Sequence, residues 1–347
     1  MKTTHKVLYQ DARDMGDISS ESVDLMITSP PYPMIEMWDE IFSKQNKDIK
    51  KALTKKNGEN AFELMHKELD KVWSEVYRVL KVGGIACINI GDATRSLNGR
   101  FQIYPNHTRI MNCCLGLGFH ALPSILWVKE TNSPNKFMGS GMLPVGAYVT
   151  LEHEHILILR KADKRDFKTD EEKIKRLESA FFWEERNIWF SDKWRDVKGA
   201  LQKLNNKKLR ERSGAYPLEL VYRLINMFSV YGDTVLDPFL GTGTTTLGAM
   251  ASGRNSIGIE IDKNFNEFIN GRVNEIIPLV KERNLERIKA HLDFIKTHEK
   301  EIKYKSSFYG FEVKTRQEKG IRFYHVKEVN PIENNVFEVL HEETNLA

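Results

Sequence analysis

The stretch Thr28-Ser29-Pro30-Pro31-Tyr32 carries the densest chemistry in the chain. Two adjacent prolines fix φ at both positions and remove two backbone N–H donors. What remains is a rigid rim of acceptors, the Ser29 hydroxyl and the Pro30 carbonyl, with the Tyr32 ring beside it. That rim suits a planar substrate bearing an amino group: the ring stacks on its face and the acceptors take the amine hydrogens. An exocyclic amine on a nucleobase is a poor nucleophile, because its lone pair is conjugated into the ring. Acceptors out of the ring plane favour a pyramidal nitrogen with a localised pair, able to attack a sulfonium methyl in line. Stabilising charge that develops only in the transition state accelerates such a step. A proline turn that merely caps a strand is common for a bare Pro-Pro and fits the whole string less well.

The second stretch is Asp237-Pro238-Phe239-Leu240-Gly241-Thr242-Gly243-Thr244. Gly241 and Gly243 permit positive φ and close backbone approach. A helix start behind them offers unpaired N–H groups. The string lacks the Lys-Ser/Thr of a phosphate-binding NTPase loop and the third spaced glycine of a dinucleotide fingerprint. A phosphate-free cofactor therefore suits it, with an amino acid moiety using the N–H groups and Asp237. Glu260 follows at about the twenty-residue spacing at which an acid reaches a ribose diol in dinucleotide folds. A cofactor with adenosine but no phosphate is S-adenosylmethionine. A plain glycine turn with a surface acid would explain each feature singly, not the pair.

These loops need elements to hold them. Strands are read at Lys6 to Gln10, Val23 to Thr28, Ile85 to Ile90, Ser124 to Lys129, His155 to Arg160, Thr234 to Asp237 and Ser256 to Glu260. Helices are read at 64–80, 104–115, 217–230, 245–251 and 263–300, from apolar stripes such as Leu69, Val72, Trp73, Val76, Tyr77 and Leu80. Segment 36–60 is charged and weakly periodic and reads as a mobile loop or lid. The last forty residues read as short strands and turns. Alternating strands and helices predict an α/β fold with a mostly parallel sheet covered on both faces. Ligands bind such sheets at the carboxyl ends of strands where the strand order reverses. The strands ending at Thr28 and Asp237 are therefore expected side by side.

Composition agrees with an ordinary folded chain: 347 residues, 41% hydrophobic and 29% charged. No apolar run approaches the roughly 20 residues of a membrane span. The first thirty residues show no basic-then-apolar leader, and a cytoplasmic location is expected. The cysteines Cys87, Cys113 and Cys114 are too few and badly spaced for a zinc cage or disulfide framework. His153 and His155 point to one face of a strand without a third ligand at familiar spacing, so no metal is expected. The net charge is only +4, but segment 161–213 carries sixteen Lys or Arg against eleven Asp or Glu, and Lys44 to Lys56 holds six Lys against one Asp. Those two stretches would attract a phosphate backbone, or are solvated surface. Trp183, Trp189 and Trp194 either stack on bases or form a small core.

Taken together, these strings resemble the amino-directed (N4-cytosine or N6-adenine) DNA methyltransferases of restriction–modification systems, in the β arrangement where the catalytic motif precedes the cofactor motif. Ser29-Pro30-Pro31-Tyr32 matches the catalytic loop, residues 237–244 the cofactor loop, and Glu260 the ribose-binding acid. Val7-Leu8-Tyr9-Gln10-Asp11 resembles the strand whose terminal Asp approaches the cofactor adenine. Gly214-Ala215-Tyr216-Pro217 resembles the turn at its methionine end. Residues 78–84 and 125–129 match weaker blocks. The resemblance covers about residues 5–160 and 212–277.

It implies a Rossmann-like, S-adenosylmethionine-dependent methyltransferase sheet of seven strands with circularly permuted motif order. Residues 1–160 would form the catalytic half, 161–213 an inserted target-recognition segment, 214–280 the cofactor half and 281–347 an extension of unassigned role. Ser29, Pro30, Pro31 and Tyr32 are the expected catalytic residues. Asp11, Thr28, Tyr216, Pro217, Asp237, Pro238, Phe239, Gly241, Thr242, Gly243, Thr244, Glu260 and Ile261 are the expected cofactor site. Lys136, Trp183, Trp189, Lys193, Trp194, Arg195, Lys207, Lys208 and Arg210 are the expected DNA contacts. The implied partners are double-stranded DNA and, genetically, a cognate restriction endonuclease, with no membrane; the chain is expected as monomer or homodimer. Cytosine-N4 members mostly carry Ser at position 29, whereas adenine-N6 members mostly carry Asp or Asn. Cytosine-N4 transfer after base flipping is preferred. Adenine-N6 transfer, an RNA or protein amine as substrate, and a non-catalytic DNA-binding subunit are the alternatives.

Overall fold

The computed structural model describes residues 1–129, 138–199, 216–273, 275–299 and 301–345. At its centre lies β2 (Val23–Thr28), whose six residues are all buried. Leu25 and Ile27 face one apolar cluster and Met26 the opposite one, so the strand must be covered on both sides. The remaining strands of the main sheet are β1 (Lys2–Leu8), β3 (Leu80–Ile90), β4 (Phe119–Val128), β5 (His153–Lys161), β6 (Lys193–Trp194), β7 (Thr234–Asp237), β8 (Asn255–Ile259), β9 (Tyr324–Glu333) and β10 (Val336–Glu343). Their order is β6-β4-β5-β3-β2-β7-β8-β1-β10-β9. The strands from β4 through β1 make up the expected seven; β6 extends one edge and the β9–β10 hairpin the other.

Strands β3, β2, β7, β8 and β1 pair in parallel. β5 runs antiparallel to both of its neighbours. The chain steps from β2 to β3 on one side of the β2–β7 pair and from β7 to β8 on the other; within the pair Leu25 is in register with Val235 and Met26 with Leu236. That pair is the point at which the strand order reverses, as expected.

Helices cover the sheet on both faces: α1 (Asp39–Gln45), α2 (Lys47–Thr54), α3 (Gly58–Val79), α4 (Asn106–Leu117), α5 (Asp170–Glu178), α6 (Trp183–Trp189), α7 (Leu218–Phe228), α8 (Thr244–Ala251), α9 (Asn266–Val273) and α10 (Ile276–Thr297). One core joins α3 and α4 to Met26, Ile88, Leu157 and Leu159. The other joins α7 to Leu25, Ile27, Ile156 and Val235.

Three expectations change. Segment 36–60 is not a free loop: α1 and α2 bury Phe42, Ile49 and Ala52. The Asn46 side chain caps α2 by accepting from the Asp48 N–H, and Asn57 caps α3 by accepting from the Asn60 N–H. Strand β3 starts at Leu80, ahead of Gly83-Gly84, and Gly83 takes φ +81° within it. Within the last forty residues, Tyr324–Glu333 and Val336–Glu343 form a long hairpin: β10 pairs with β1, and Val326, Phe337 and Val339 share a core with Leu247, Met250 and Val280. Among the described residues, no helix is long and apolar enough to cross a membrane.

Candidate active site

Because β2 and β7 are parallel neighbours, the two chemical loops leave the sheet side by side. Thr28 Oγ1 donates to Asp237 Oδ1 at 2.6 Å, and the Phe239 N–H donates to the same oxygen at 3.0 Å. The Tyr216 hydroxyl at 2.9 Å and the Thr245 hydroxyl at 2.5 Å donate to Oδ2. Burial raises the Asp237 carboxyl above its ordinary range, against the pull of these donors. Both oxygens are thus occupied by the chain. Asp237, Thr28 and Tyr216 act here as a brace that ties the catalytic loop to the glycine loop.

In that loop Gly241 takes φ +52° and Gly243 φ +81°, both in the left-handed region. Gly243 is the N-cap of α8. A Cβ added at Gly241 would meet nothing within 4 Å, so the loop backbone faces open space. Pro238, Thr242 and Thr244 are buried beneath it, and the half-buried Phe239 meets Trp73 edge-on at 6.2 Å. Glu260 follows β8 and accepts the Gly241 N–H through Oε2 and the Asp262 N–H through Oε1, each at 2.8 Å. Burial raises its carboxyl pKa. Each oxygen keeps a further lone pair, enough for a ribose diol. Ile261 is exposed next to it, and Pro217 opens α7 as its N-cap. At the end of β1, burial and Glu260 push the Tyr9 phenol up to about 12. Asp11 is gripped by Arg13 at 2.7 Å, which also reaches Glu68 on α3.

The catalytic loop holds a hydrogen-bond hub that sequence reading missed. The Tyr32 hydroxyl donates to Glu154 Oε2 at 2.9 Å, receives Asn89 Nδ2 at 3.0 Å, and lies 3.1 Å from Ser29 Oγ. Asn89 Nδ2 also donates to Glu154 Oε2 at 2.6 Å, and Lys129 pairs with Glu154 Oε1. Burial, ahead of the neighbouring Glu154, drives the Tyr32 phenol well above its ordinary pKa. Gly91 makes room for the ring, since a Cβ there would sit 3.0 Å from Tyr32 Cε2. Asn106 Nδ2 pins the loop by donating to the Pro33 carbonyl at 3.1 Å and the Gly91 carbonyl at 3.0 Å. A signal did exist for Glu154: it is a carboxylate at the start of an apolar, strand-like run, flanked by the two histidines that drew attention instead.

Those histidines face the other way. His155 stacks on His107 with centroids 3.9 Å apart and planes 13° apart, and His107 Nδ1 lies 2.8 Å from both Asp92 oxygens. The fold thus supplies the neighbours that sequence spacing could not. Two nearly parallel rings cannot aim their in-plane lone pairs at one ion, so the cluster as it stands is a hydrogen-bonded His–Asp pair under a stacked imidazole. Burial, helped by His107, lowers His155 to about 4.

Two of the expected DNA contacts are corrected by burial. Trp194 is fully enclosed and donates Nε1–H to the Trp189 carbonyl at 2.9 Å, and Trp189 lies in the α9–α10 core. Both are core, the second of the two roles left open. Trp183 stands at the surface against Phe294, with ring centroids at 5.6 Å. Lys193 and Arg195 are exposed on either side of Trp194 at the sheet edge. Lys136, Lys207, Lys208, Arg210, Gly214 and Ala215 lie outside the described residues.

The reversal between β2 and β7, with a proline loop and a glycine loop at their carboxyl ends, defines a Rossmann-like methyltransferase fold. The chain belongs to the DNA methylase family of N6/N4 methyltransferases, whose profile matches residues 23–271. It is 53% identical to the type II methyltransferase M.MthZI of Methanothermobacter thermautotrophicus, covering 99% of this chain and 97% of that one. It is 50% identical to the type II methyltransferase M.MjaI of Methanocaldococcus jannaschii over 78% of this chain and 91% of that one. A solved Thermus thermophilus protein, described as a putative DNA modification methylase complexed with S-adenosyl-L-methionine, is 31% identical over 79% of this chain and 95% of its own, at a TM-score of 0.61.

Proposed function

We propose that this chain is a site-specific DNA methyltransferase that moves a methyl group from S-adenosylmethionine to the exocyclic N4 of cytosine in duplex DNA. The observation that supports the reading is the juxtaposition of two loops through the 2.6 Å Thr28–Asp237 bond, which joins the residue before Ser29 and Pro30 to the residue that opens the glycine loop. The cofactor fits the residues present: the open space over Gly241 admits it, and Glu260 is a buried carboxylate with lone pairs to spare for a ribose. The ligand of the Thermus relative and the type II names of the archaeal relatives support this reading.

When bound, S-adenosylmethionine supplies an electrophilic methyl. The chain does the rest. Extruding the target base costs a few kcal/mol, and stacking on the Tyr32 ring offsets part of it. Ser29 Oγ and the Pro30 carbonyl accept the two amine hydrogens and localise the nitrogen lone pair. The C–S bond breaks as the N–C bond forms, a thioether leaves, and the proton lost from nitrogen passes to solvent. The exposed lysines of α1 and α2, with Lys193 and Arg195, are the candidates for phosphate contacts.

Cytosine is preferred because Ser29 stands where cytosine-N4 members of the family mostly carry serine. A nucleoside digest of DNA incubated with the protein and methyl-labelled cofactor tests it: label is expected in N4-methylcytosine. Label in N6-methyladenine overturns the base, and DNA binding without transfer overturns the enzyme.

A further inference from the structure

The Tyr32 hub fixes the direction of every hydrogen bond in it. A phenol has one proton to give and two lone pairs to receive with. Its three neighbours are Glu154 Oε2, Asn89 Nδ2 and Ser29 Oγ. Glu154, paired with Lys129, is a carboxylate and can only accept, so the phenol proton goes to it. Asn89 must turn its NH₂ toward the hub, since the reversed amide would set its carbonyl against a carboxylate oxygen 2.6 Å away. Among the described residues, Ser29 Oγ at 3.1 Å is the remaining side-chain group within hydrogen-bond distance of the phenol, whose last lone pair therefore draws the serine proton to Tyr32. The Ser29 oxygen is left with lone pairs alone for anything that enters the pocket.

We infer that Glu154 sets the hydrogen-bond polarity of the target-base pocket, making Ser29 an obligate acceptor, so that the pocket takes an amino edge and rejects a carbonyl edge. Glu154 touches neither base nor cofactor. It is a positioning residue that acts through Tyr32 on Ser29, with Lys129 and Asn89 holding it in place. The inference rests on the proposed transfer to a base amine, but it holds for cytosine and adenine alike. In Glu154→Gln, made together with Asn89→Ala so that no amide at position 89 can turn its carbonyl to the phenol, Lys129 retains the amide oxygen, and the amide nitrogen turns to Tyr32 as a donor. The phenol then gives its proton to Ser29, and the serine proton points into the pocket, where it suits a carbonyl and opposes an amine.

The test compares binding of two duplexes. Sequencing of plasmid DNA methylated by the wild-type protein first maps its site. Oligonucleotide duplexes are then made with either the mapped target base or its deaminated counterpart, uracil for cytosine or hypoxanthine for adenine. Affinities are measured with S-adenosylhomocysteine present, so that no transfer occurs. The preference for the amino-bearing duplex is expected to fall about tenfold from wild type to the Glu154→Gln/Asn89→Ala double variant, the scale of one mismatched buried hydrogen bond. Mispairing eases extrusion of the deaminated base in both proteins and cancels from the ratio. Tyr32→Phe keeps the stacking ring but frees the serine hydroxyl to turn. It is expected to lose the same preference, and it decides the matter if the double variant does not bind cofactor. An unchanged preference in whichever variant binds cofactor overturns the inference and leaves Glu154 as a support for the loop. Wild-type protein that methylates no DNA overturns the proposed function, and the inference with it.

Discussion

Replacing Ser29 by Ala removes one of the two acceptors that hold the reacting amine and leaves the ring that stacks on it. Single-turnover transfer is expected to slow about a hundredfold, the cost of removing one preorganised polar contact to a transition state. Cofactor affinity, read by equilibrium titration, should not move. Asp237 behaves differently. It receives Thr28, Tyr216, Thr245 and the Phe239 N–H, so Asp237→Asn sets an amide donor against hydroxyls that lose their acceptor. A loss of about 2 kcal/mol is expected in urea unfolding, together with weaker cofactor binding, because the brace and the glycine loop move as one. Stability unchanged within error in that variant would show the seam to be held by the sheet alone.

Among the elements, the seam between β1 and β10 carries a pH dependence. Thr3 Oγ1 lies 2.9 Å from His5 Nε2 and 2.8 Å from His341 Nε2, and His5 Nδ1 lies 2.9 Å from Ser256 Oγ. Burial, then mutual repulsion, lowers His5 to about 3; burial, then the chain's amino terminus, His325 and Arg254, lowers His341 to about 4. The unfolded chain takes up these protons near the ordinary histidine value of about 6.5, while the folded chain does not. Stability contributed by the neutral pair is therefore complete above that value and drains away as pH falls toward about 4. The melting temperature should drop between pH 7 and pH 5, and a His5→Gln/His341→Gln double variant should drop less over the same range.

The same elements mark the boundary of what the sequence makes legible. The Ser-Pro-Pro-Tyr string and the glycine bend are local, and so is the strand before each, which makes their adjacency a short inference from parallel-sheet topology. The Tyr32 hub is not local. Asn89 and Glu154 reach one hydroxyl, with Lys129 paired behind Glu154, only through the antiparallel insertion of β5 between β3 and β4, a register that no composition rule supplies. Helices α1 and α2 are too short and lysine-rich for an apolar stripe to stand out, and their caps, Asn46 and Asn57, are polar residues that serve turns equally well. The C-terminal hairpin completes the sheet by pairing with the opposite end of the chain, a pairing invisible to any local pattern.

At the scale of the whole molecule, charge is unevenly spread. All six lysines between Lys44 and Lys56 are exposed on or beside α1 and α2, the short helices that precede α3. If they meet the duplex, Lys47→Gln, Lys50→Gln and Lys55→Gln together should flatten the slope of log Kd against log salt by about 0.9 for each phosphate no longer neutralised. Saturating single-turnover rates should stay within about twofold of wild type, because a lysine on a phosphate positions DNA and does not polarise the amine. A slope identical to wild type would assign these lysines to solvent.

The central pairing of β2 with β7 has one more consequence, for the birth of the chain. Strand β2 leaves the ribosome about two hundred residues ahead of its partner, which at ~5–20 residues per second is a delay of roughly 10–40 s. Throughout that interval one flank of a wholly buried strand hangs without a neighbour, a ready template for sticking to other nascent chains. Expression at high speed, or in cells short of holdase chaperones, should therefore send this protein into inclusion bodies long before any thermal limit of the finished enzyme is reached.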